Sequence, residues 1–164
     1  MSNRAVDAET APAPDWSQAL GYAGLIPFLA GAAALTAIAM TLRDVALAAA
    51  ISSAVIVYGA VILSFLGGVR WGVAVARGDA DGRVFALSVV PSLIGWGAAL
   101  LPAPWALLVL AAGFMLQGAW DVKTASEGGL PAWYARLRRH LTVIVAASLL
   151  VSAASVLLVE VART

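Results

Sequence analysis

The chain has no cysteine, one histidine and few charged residues. Without cysteine it can form no disulfide, no thiolate metal site and no thiol nucleophile. Charged residues make up 12% of the chain, against about 25% in an ordinary soluble domain, whereas hydrophobic residues make up 62%, against about 45–50%. A domain of this size leaves about a third of its chain's surface exposed. Water therefore cannot be the solvent of most of these side chains, and the composition predicts an integral membrane protein.

Several function classes have little support in the sequence. The net charge of +1 argues against a nucleic-acid partner, which requires a concentrated basic face. The single histidine, His140, has no partner that the sequence identifies. The chain also has no HExxH motif, no phosphate-binding loop, no GxGxxG motif and no paired carboxylates within an apolar run. We therefore expect no enzyme activity, no cofactor and no metal site.

Five apolar runs are long enough to cross a bilayer, because a hydrocarbon core of about 30 Å requires roughly 20 apolar residues per helix. Lipid-facing backbone must pair its own polar groups, and these runs are too long and too unalternating for barrel strands. We predict an all-α fold, a polytopic bundle of five transmembrane helices over residues 19–162 that follows a disordered tail over residues 1–18. The tail fits neither a secretory signal nor a mitochondrial presequence, so the first helix is expected to be an uncleaved anchor.

The predicted spans are 19–40, 45–68 with an extension to 76, 84–101, 104–120 and 140–159. An amphipathic segment over residues 130–139 is expected to rest at the membrane interface before the fifth span. Pro102-Ala103-Pro104 leaves almost no loop between the third and fourth spans, so these helices should be antiparallel neighbours.

The basic residues predict an orientation. With five spans, the N-terminus, the second-to-third loop and the fourth-to-fifth loop share one side of the membrane. Eight of the ten arginine and lysine residues fall on that side, and only Arg43 and Arg163 fall on the other. The positive-inside rule then places the N-terminus in the cytoplasm and the C-terminus outside.

The stretch from Tyr58 to Gly72 combines small residues with a charge. Gly68 and Gly72 lie four residues apart, so on a helix they share a face that another backbone can approach closely. Arg70 lies between them, at or just inside the membrane boundary. It either extends its charged end to the interface or pairs with Asp121, which ends the fourth span on the same side.

A few polar residues and prolines inside the spans are also candidates. Gln117 should face the bundle interior, where helix-to-helix hydrogen bonding is a more common role than ligand contact. Ser148 and Ser152 indicate a helix-packing face. Pro27 and Pro91 should kink their helices, although transporters also use broken helices to bind substrates.

Five blocks of sequence resemble a known family. They are GYAGLIPF (21–28), YGAVILSFLGGVRWG (58–72), SVVPSL (88–93), GFMLQGAWD (113–121) and LPAWYARLR (130–138). The chain resembles the transmembrane-protein-69-like group (domain of unknown function 3429), small membrane proteins of bacteria and of the mitochondrial inner membrane. The resemblance implies five spans and no established activity or ligand. The resemblance assigns no functional role to any residue and identifies only signature positions of the family, which are Arg70, Trp71, Gln117, Trp120 and Asp121.

The small-residue faces, short loops and absent catalytic groups favour an accessory or assembly factor that acts through helix-to-helix contacts in a bacterial inner membrane. Its partners would be the lipid bilayer and either another membrane protein or a second copy of the chain. The alternative is a small transporter or a lipid- or quinone-binding protein with a pocket near the two prolines, Gln117 and the Arg70–Asp121 region. The third hypothesis is an enzyme that modifies lipids.

Overall fold

The computed structural model describes residues 15–41, 44–79, 81–126 and 132–162, and every regular element in these ranges is an α-helix. Five stretches are long and apolar enough to cross a membrane, as the sequence predicts. We number six helices in chain order: α1 (Asp15–Ala23), α2 (Ile26–Thr41), α3 (Val45–Arg77), α4 (Gly82–Ala99), α5 (Ala103–Ser126) and α6 (Ala132–Val161).

The first span consists of two helices rather than one kinked helix. The chain leaves α1 at Gly24 and Leu25, and Pro27 then lies in the first turn of α2, where its missing N–H is not needed. Irregular backbone inside a membrane protein must find other partners. The Tyr58 hydroxyl of α3 supplies one, since it donates to the Gly24 carbonyl at 3.1 Å. Pro91, by contrast, lies buried within the continuous helix α4.

At most of the other predicted boundaries the helix extends past the apolar run, although α4 ends at Ala99, two residues before the predicted end of the third span. The predicted tail ends at residue 18, but α1 begins at Asp15; residues 1–14 lie outside the described residues. The second span continues to Arg77 without a break. The described part of the 130–139 segment belongs to α6, which is one helix of 30 residues rather than an interfacial segment followed by a span.

Local capping explains the turn between α3 and α4. Gly78 ends α3 with φ +66°, a left-handed conformation that glycine adopts without steric cost, and its N–H donates to the Ala74 and Val75 carbonyls. Asp81 then begins α4 by accepting a hydrogen bond from the Arg83 N–H at 2.9 Å. These caps fix a tight polar turn at the end of the bundle where Arg70, Arg77 and Arg83 lie, which we call the arginine end.

The helices pack closely at glycines other than the two predicted ones. A Cβ added at Gly95 would lie 3.0 Å from the backbone of Ala60, and one added at Gly67 would collide with the Ser88 carbonyl. Gly31, Gly113 and Gly118 are similarly crowded. At Gly68 and Gly72 no atom of the described chain lies within 4 Å of such a Cβ. The prediction that these two glycines pack against another helix of the chain is therefore wrong, because α3 turns the neighbouring Gly67 inward.

The short connection at Pro102-Ala103-Pro104 brings α4 and α5 together at one end of the bundle. Gly113 of α5 lies against Ile94 of α4, and Leu63 of α3 packs at the same point. Towards the arginine end a cavity lies between α4 and α5, lined by Leu87 and Trp120. The two helices are neighbours, but they do not touch along their whole length.

The two adjacent glycines of α3 provide a matched test of this packing. We expect Gly67→Ala to destabilise the protein by about 1–3 kcal/mol, because the added methyl group overpacks the contact with α4. Gly68→Ala should leave the stability unchanged or slightly raised, since alanine favours helix and nothing occupies the space. Thermal unfolding of both variants in detergent measures the difference, and equal effects would contradict the assigned helix face.

Candidate functional site

The carboxylate of Asp121 lies at the meeting point of three helices near the arginine end. It is only 2% exposed, and it belongs to the last two turns of α5. Arg70 approaches it from α3 and Arg138 from α6, while Gln117 lies one turn earlier on α5 itself. We call these four residues the Asp121 cluster.

Both carboxylate oxygens of Asp121 accept hydrogen bonds from charged or amide donors. Arg70 Nη2 lies 3.1 Å from Oδ1, so the ion pair between α3 and α5 that the sequence suggests is present. Gln117 Nε2 donates to the same oxygen at 3.1 Å. Arg138 Nε donates to Oδ2 at 2.9 Å. One buried acid therefore joins α3, α5 and α6.

Arg70 has further partners on α5. Its Nη2 atom also donates to the Thr124 hydroxyl at 3.1 Å, and its guanidinium carbon lies 4.0 Å from the centre of the Trp120 ring. A guanidinium over an indole face is attracted by the negative charge of the ring's π system. The arginine is thus held inside the bundle and does not extend along the membrane interface.

The Asp121 cluster has more positive than negative charge. Two guanidinium groups share one carboxylate, and among the described residues neither arginine forms a second ion pair. Arg70 Nε and Arg138 Nη2 are buried without a hydrogen-bond partner, as is the Thr142 hydroxyl on the next turn of α6. The cluster therefore has a formal charge of +1 and unused donors in a region of low exposure.

An apolar cavity of about 390 Å³ lies beside the cluster, between α1, α2, α3, α5 and α6. Leucine, phenylalanine and valine side chains form most of its wall, and Arg138 and Thr142 lie at one place on it. This combination of an apolar wall and a few polar groups is typical of small-molecule sites, whose volumes range from about 300 to 1,000 Å³.

A second cavity, of about 400 Å³, lies on the other side of the cluster between α3, α4 and α5, and we call it the polar cavity. Arg70 and Asp121 line it together with charged residues of the turn after α3. Val69 and Tyr134 line both cavities, so they mark the place where the two meet. An extended molecule could occupy both cavities only by passing these two side chains.

The structure unites most of the candidate residues but not all of them. Gln117 and Asp121 belong to the cluster, and Trp120 flanks Arg70. Trp71 lies outside it, half exposed, with its ring 5.0 Å from that of Phe85. Ser148 and Ser152 are buried on α6, where each hydroxyl donates to the carbonyl four residues earlier. His140 is exposed, and no group of metal ligands occurs in the described ranges.

Sequence reasoning missed Arg138 as a member of the site. Arg138 lies within the segment 130–139, which the sequence predicts to rest at the membrane interface. However, Arg138 lies four residues after Tyr134 and three before Leu141, and residues at these spacings share a helix face. The apolar character of these two neighbours is the signal that could have placed Arg138 on the inner face of the helix.

The cluster makes a specific prediction about stability. Asp121→Asn should destabilise the protein more than Arg70→Gln or Arg138→Gln, because it leaves the buried guanidinium of Arg138 and the partly buried guanidinium of Arg70 without a counter-charge. Removing one partner from a buried ion pair costs about 3–5 kcal/mol. Asp79→Asn, in the exposed turn, is the matched control and should have little effect. Unfolding of the single and double variants gives the coupling energies, and additive effects of Asp121→Asn and Arg70→Gln would rule out a stabilising pair.

Comparison with known proteins agrees with the family resemblance found in the sequence. A family model described as a protein of unknown function (DUF3429) matches residues 13–154. Transmembrane protein 69 of Xenopus tropicalis is 34% identical over 144 residues, which cover 84% of this chain and 53% of that protein. The chain thus spans about half the length of this relative, and no solved structure matches it significantly. The chain is a multi-pass membrane protein that belongs to the DUF3429 family, whose members include proteins like transmembrane protein 69.

Proposed function

We propose that this protein binds a lipid-like amphiphile inside the membrane, in the apolar cavity beside the Asp121 cluster. The observation that carries the proposal is the cavity itself: an apolar space of about 390 Å³ between transmembrane helices, with an ion-paired arginine on its wall. A binding function needs no catalytic group. The donors around Asp121 occupy both of its carboxylate oxygens, which makes it a poor general base and supports binding over enzyme activity.

The mouth of the cavity supports entry from the bilayer. Leu20 of α1 and Phe65 of α3 line the cavity and are 71% and 67% exposed. Exposed apolar side chains on candidate membrane spans face lipid, so the opening between α1 and α3 leads into the hydrocarbon region. A ligand that is already dissolved in the membrane could enter sideways without crossing water.

Two exposed leucines test this route with a matched control. We expect Leu20→Trp to weaken binding of a fluorescent or spin-labelled fatty acid about tenfold or more, because the larger ring occupies the mouth of the cavity. Leu29→Trp on α2 introduces the same ring at a half-exposed position that does not line the cavity, and it should leave binding unchanged. Titration of the purified protein in detergent measures both affinities. Equal effects, or no saturable binding by the parent protein, would count against the proposal.

A second candidate function is the accessory or assembly role that the sequence favours. It is supported by the open face of α3 at Gly68 and Gly72, where a helix of another protein or of a second copy could approach closely. Co-purification of the Gly68→Leu variant tests this role. A stoichiometric partner that is lost in the variant, while the variant unfolds at the parent temperature, would favour assembly over ligand binding.

We also propose that the arginine end faces the cytoplasm of a bacterial cell, with the protein in the inner membrane. The bias of eight basic residues against two supports this orientation. Reporter fusions should place residues 78–82 and 122–130 in the cytoplasm and the C-terminus outside. A cytoplasmic C-terminus would contradict both the count of spans and the orientation.

A further inference from the structure

We propose that the ligand of the apolar cavity is an anionic single-chain amphiphile, whose carboxylate or phosphate lies at the junction of the two cavities, beside Tyr134 and between Arg70 and Arg138. This inference rests on the proposed function, because it names the chemical class of the molecule that the cavity would hold.

The positive charge of the Asp121 cluster is not fully compensated. Arg70 and Arg138 both pair with Asp121 alone among the described residues, so the buried group carries one excess positive charge. Charges removed from water are costly unless they are paired, and the cost is greatest inside a membrane. A ligand with one negative charge would neutralise the group, whereas a cationic ligand would add to the excess.

The two arginines of the cluster also have unused hydrogen-bond donors. A guanidinium group has five N–H donors, and those of Arg138 Nη2 and Arg70 Nε are buried without a partner. Most buried polar atoms in proteins are paired, so these two unpaired donors add to the cost of the uncompensated charge of the cluster. Carboxylate and phosphate oxygens match guanidinium geometry well. The Thr142 hydroxyl packs against Gly118 of α5, and we therefore assign the headgroup to the arginines.

The two arginines lie on the walls of two different cavities that meet at Tyr134. Arg138 lines the apolar cavity, Arg70 lines the polar cavity, and Tyr134 lines both. The remaining charged residues of the polar cavity, Arg77 and Arg83 against Asp79 and Asp81, cancel in formal charge. The net positive charge of the region thus belongs to the Asp121 cluster, at the end of an apolar space. A free anion would not fill the apolar space, and a neutral lipid would not neutralise the positive charge.

The size of the cavity favours one alkyl chain over two. A methylene group occupies about the volume of a water molecule, about 30 Å³, so a cavity of 390 Å³ holds roughly a dozen methylene groups. This is close to a single chain of a fatty acid or a lysophospholipid.

A pair of ligands with the same alkyl chain, one with an anionic and one with a neutral headgroup, tests the inference. Native mass spectrometry of the purified full chain, in mildly alkaline buffer, would compare a long-chain fatty acid with the fatty alcohol of equal length. We expect the fatty acid to bind about tenfold more tightly, because charge-assisted hydrogen bonds are stronger than neutral ones. The preference should disappear in Arg138→Gln, persist in Arg138→Lys and be unaffected by Arg139→Gln, which removes the same charge from an exposed neighbour. If Arg138→Gln does not fold, Arg70→Gln provides the second test, with a reduced preference expected.

The outcomes separate this inference from the proposed function. Equal affinity for acid and alcohol in the parent protein would overturn the anionic headgroup and leave the proposed function standing. Saturable binding of neither molecule would overturn both. Inorganic phosphate at the same concentration should not displace the fatty acid, and displacement would show that the site binds free anions instead of amphiphiles.

Discussion

The interaction on which the arginine end depends is the contact of one buried carboxylate with two guanidinium groups. Asp121 of α5 accepts hydrogen bonds from Arg70 of α3 and from Arg138 of α6, so this one side chain joins three helices. In a membrane, apolar side chains gain little by packing against each other instead of against lipid, because both surroundings are apolar. Polar contacts and close packing of small residues must therefore specify which helices meet. The Asp121 cluster supplies the polar contacts at one end of the bundle. Glycines such as Gly67 and Gly95 allow the close packing between α3 and α4.

The same interaction accounts for the two cavities. Arg138 must remain on the inner side of α6 to reach Asp121, while α1 lies across α6 with Gly21 against Leu137 and Leu141. The space between α3 and α6 is thereby left unfilled, as a cavity that is open on the side of α1 and α3. On the opposite side, Arg70 lies against Trp120 and Thr124, and the polar cavity opens between them and α4. The proposed binding function depends on this combination of an apolar cavity and a charged cluster.

Much of the fold could be predicted from the sequence because the hydrophobic effect is strong and acts along the whole chain. Long apolar runs identify the five spans, and the depth of Arg70 and Asp121 at one end of the bundle was enough to suggest their pairing. The rotation of each helix about its axis is decided by finer contacts. Gly67 and Gly68 differ by one position, and only the approach of α4 shows which of them is buried. Whether Arg138 is buried depends on the rotation of α6 in the same way. The sequence of the 130–139 segment does not distinguish this arginine from its neighbours Arg136 and Arg139.

The break between α1 and α2 shows a further limit of the apolar pattern. Residues 19–40 contain no charge, so their hydrophobicity cannot distinguish one helix from two. Pro27 does mark the region, but the proline begins α2 while the chain departs from helix at Gly24 and Leu25. The hydrogen bond from Tyr58, which lies 34 residues away in the chain, is what supports this departure. Such a partner becomes visible only when the helices are assembled.

The most direct test of this account is an experimentally determined structure of the protein in lipid nanodiscs that contain fatty acid. The account predicts density for Asp121 between Arg70 and Arg138, together with an elongated density in the apolar cavity whose polar end lies at Tyr134. A structure in which Arg138 points to solvent or lipid headgroups, and in which α3 and α6 close the cavity, would contradict it.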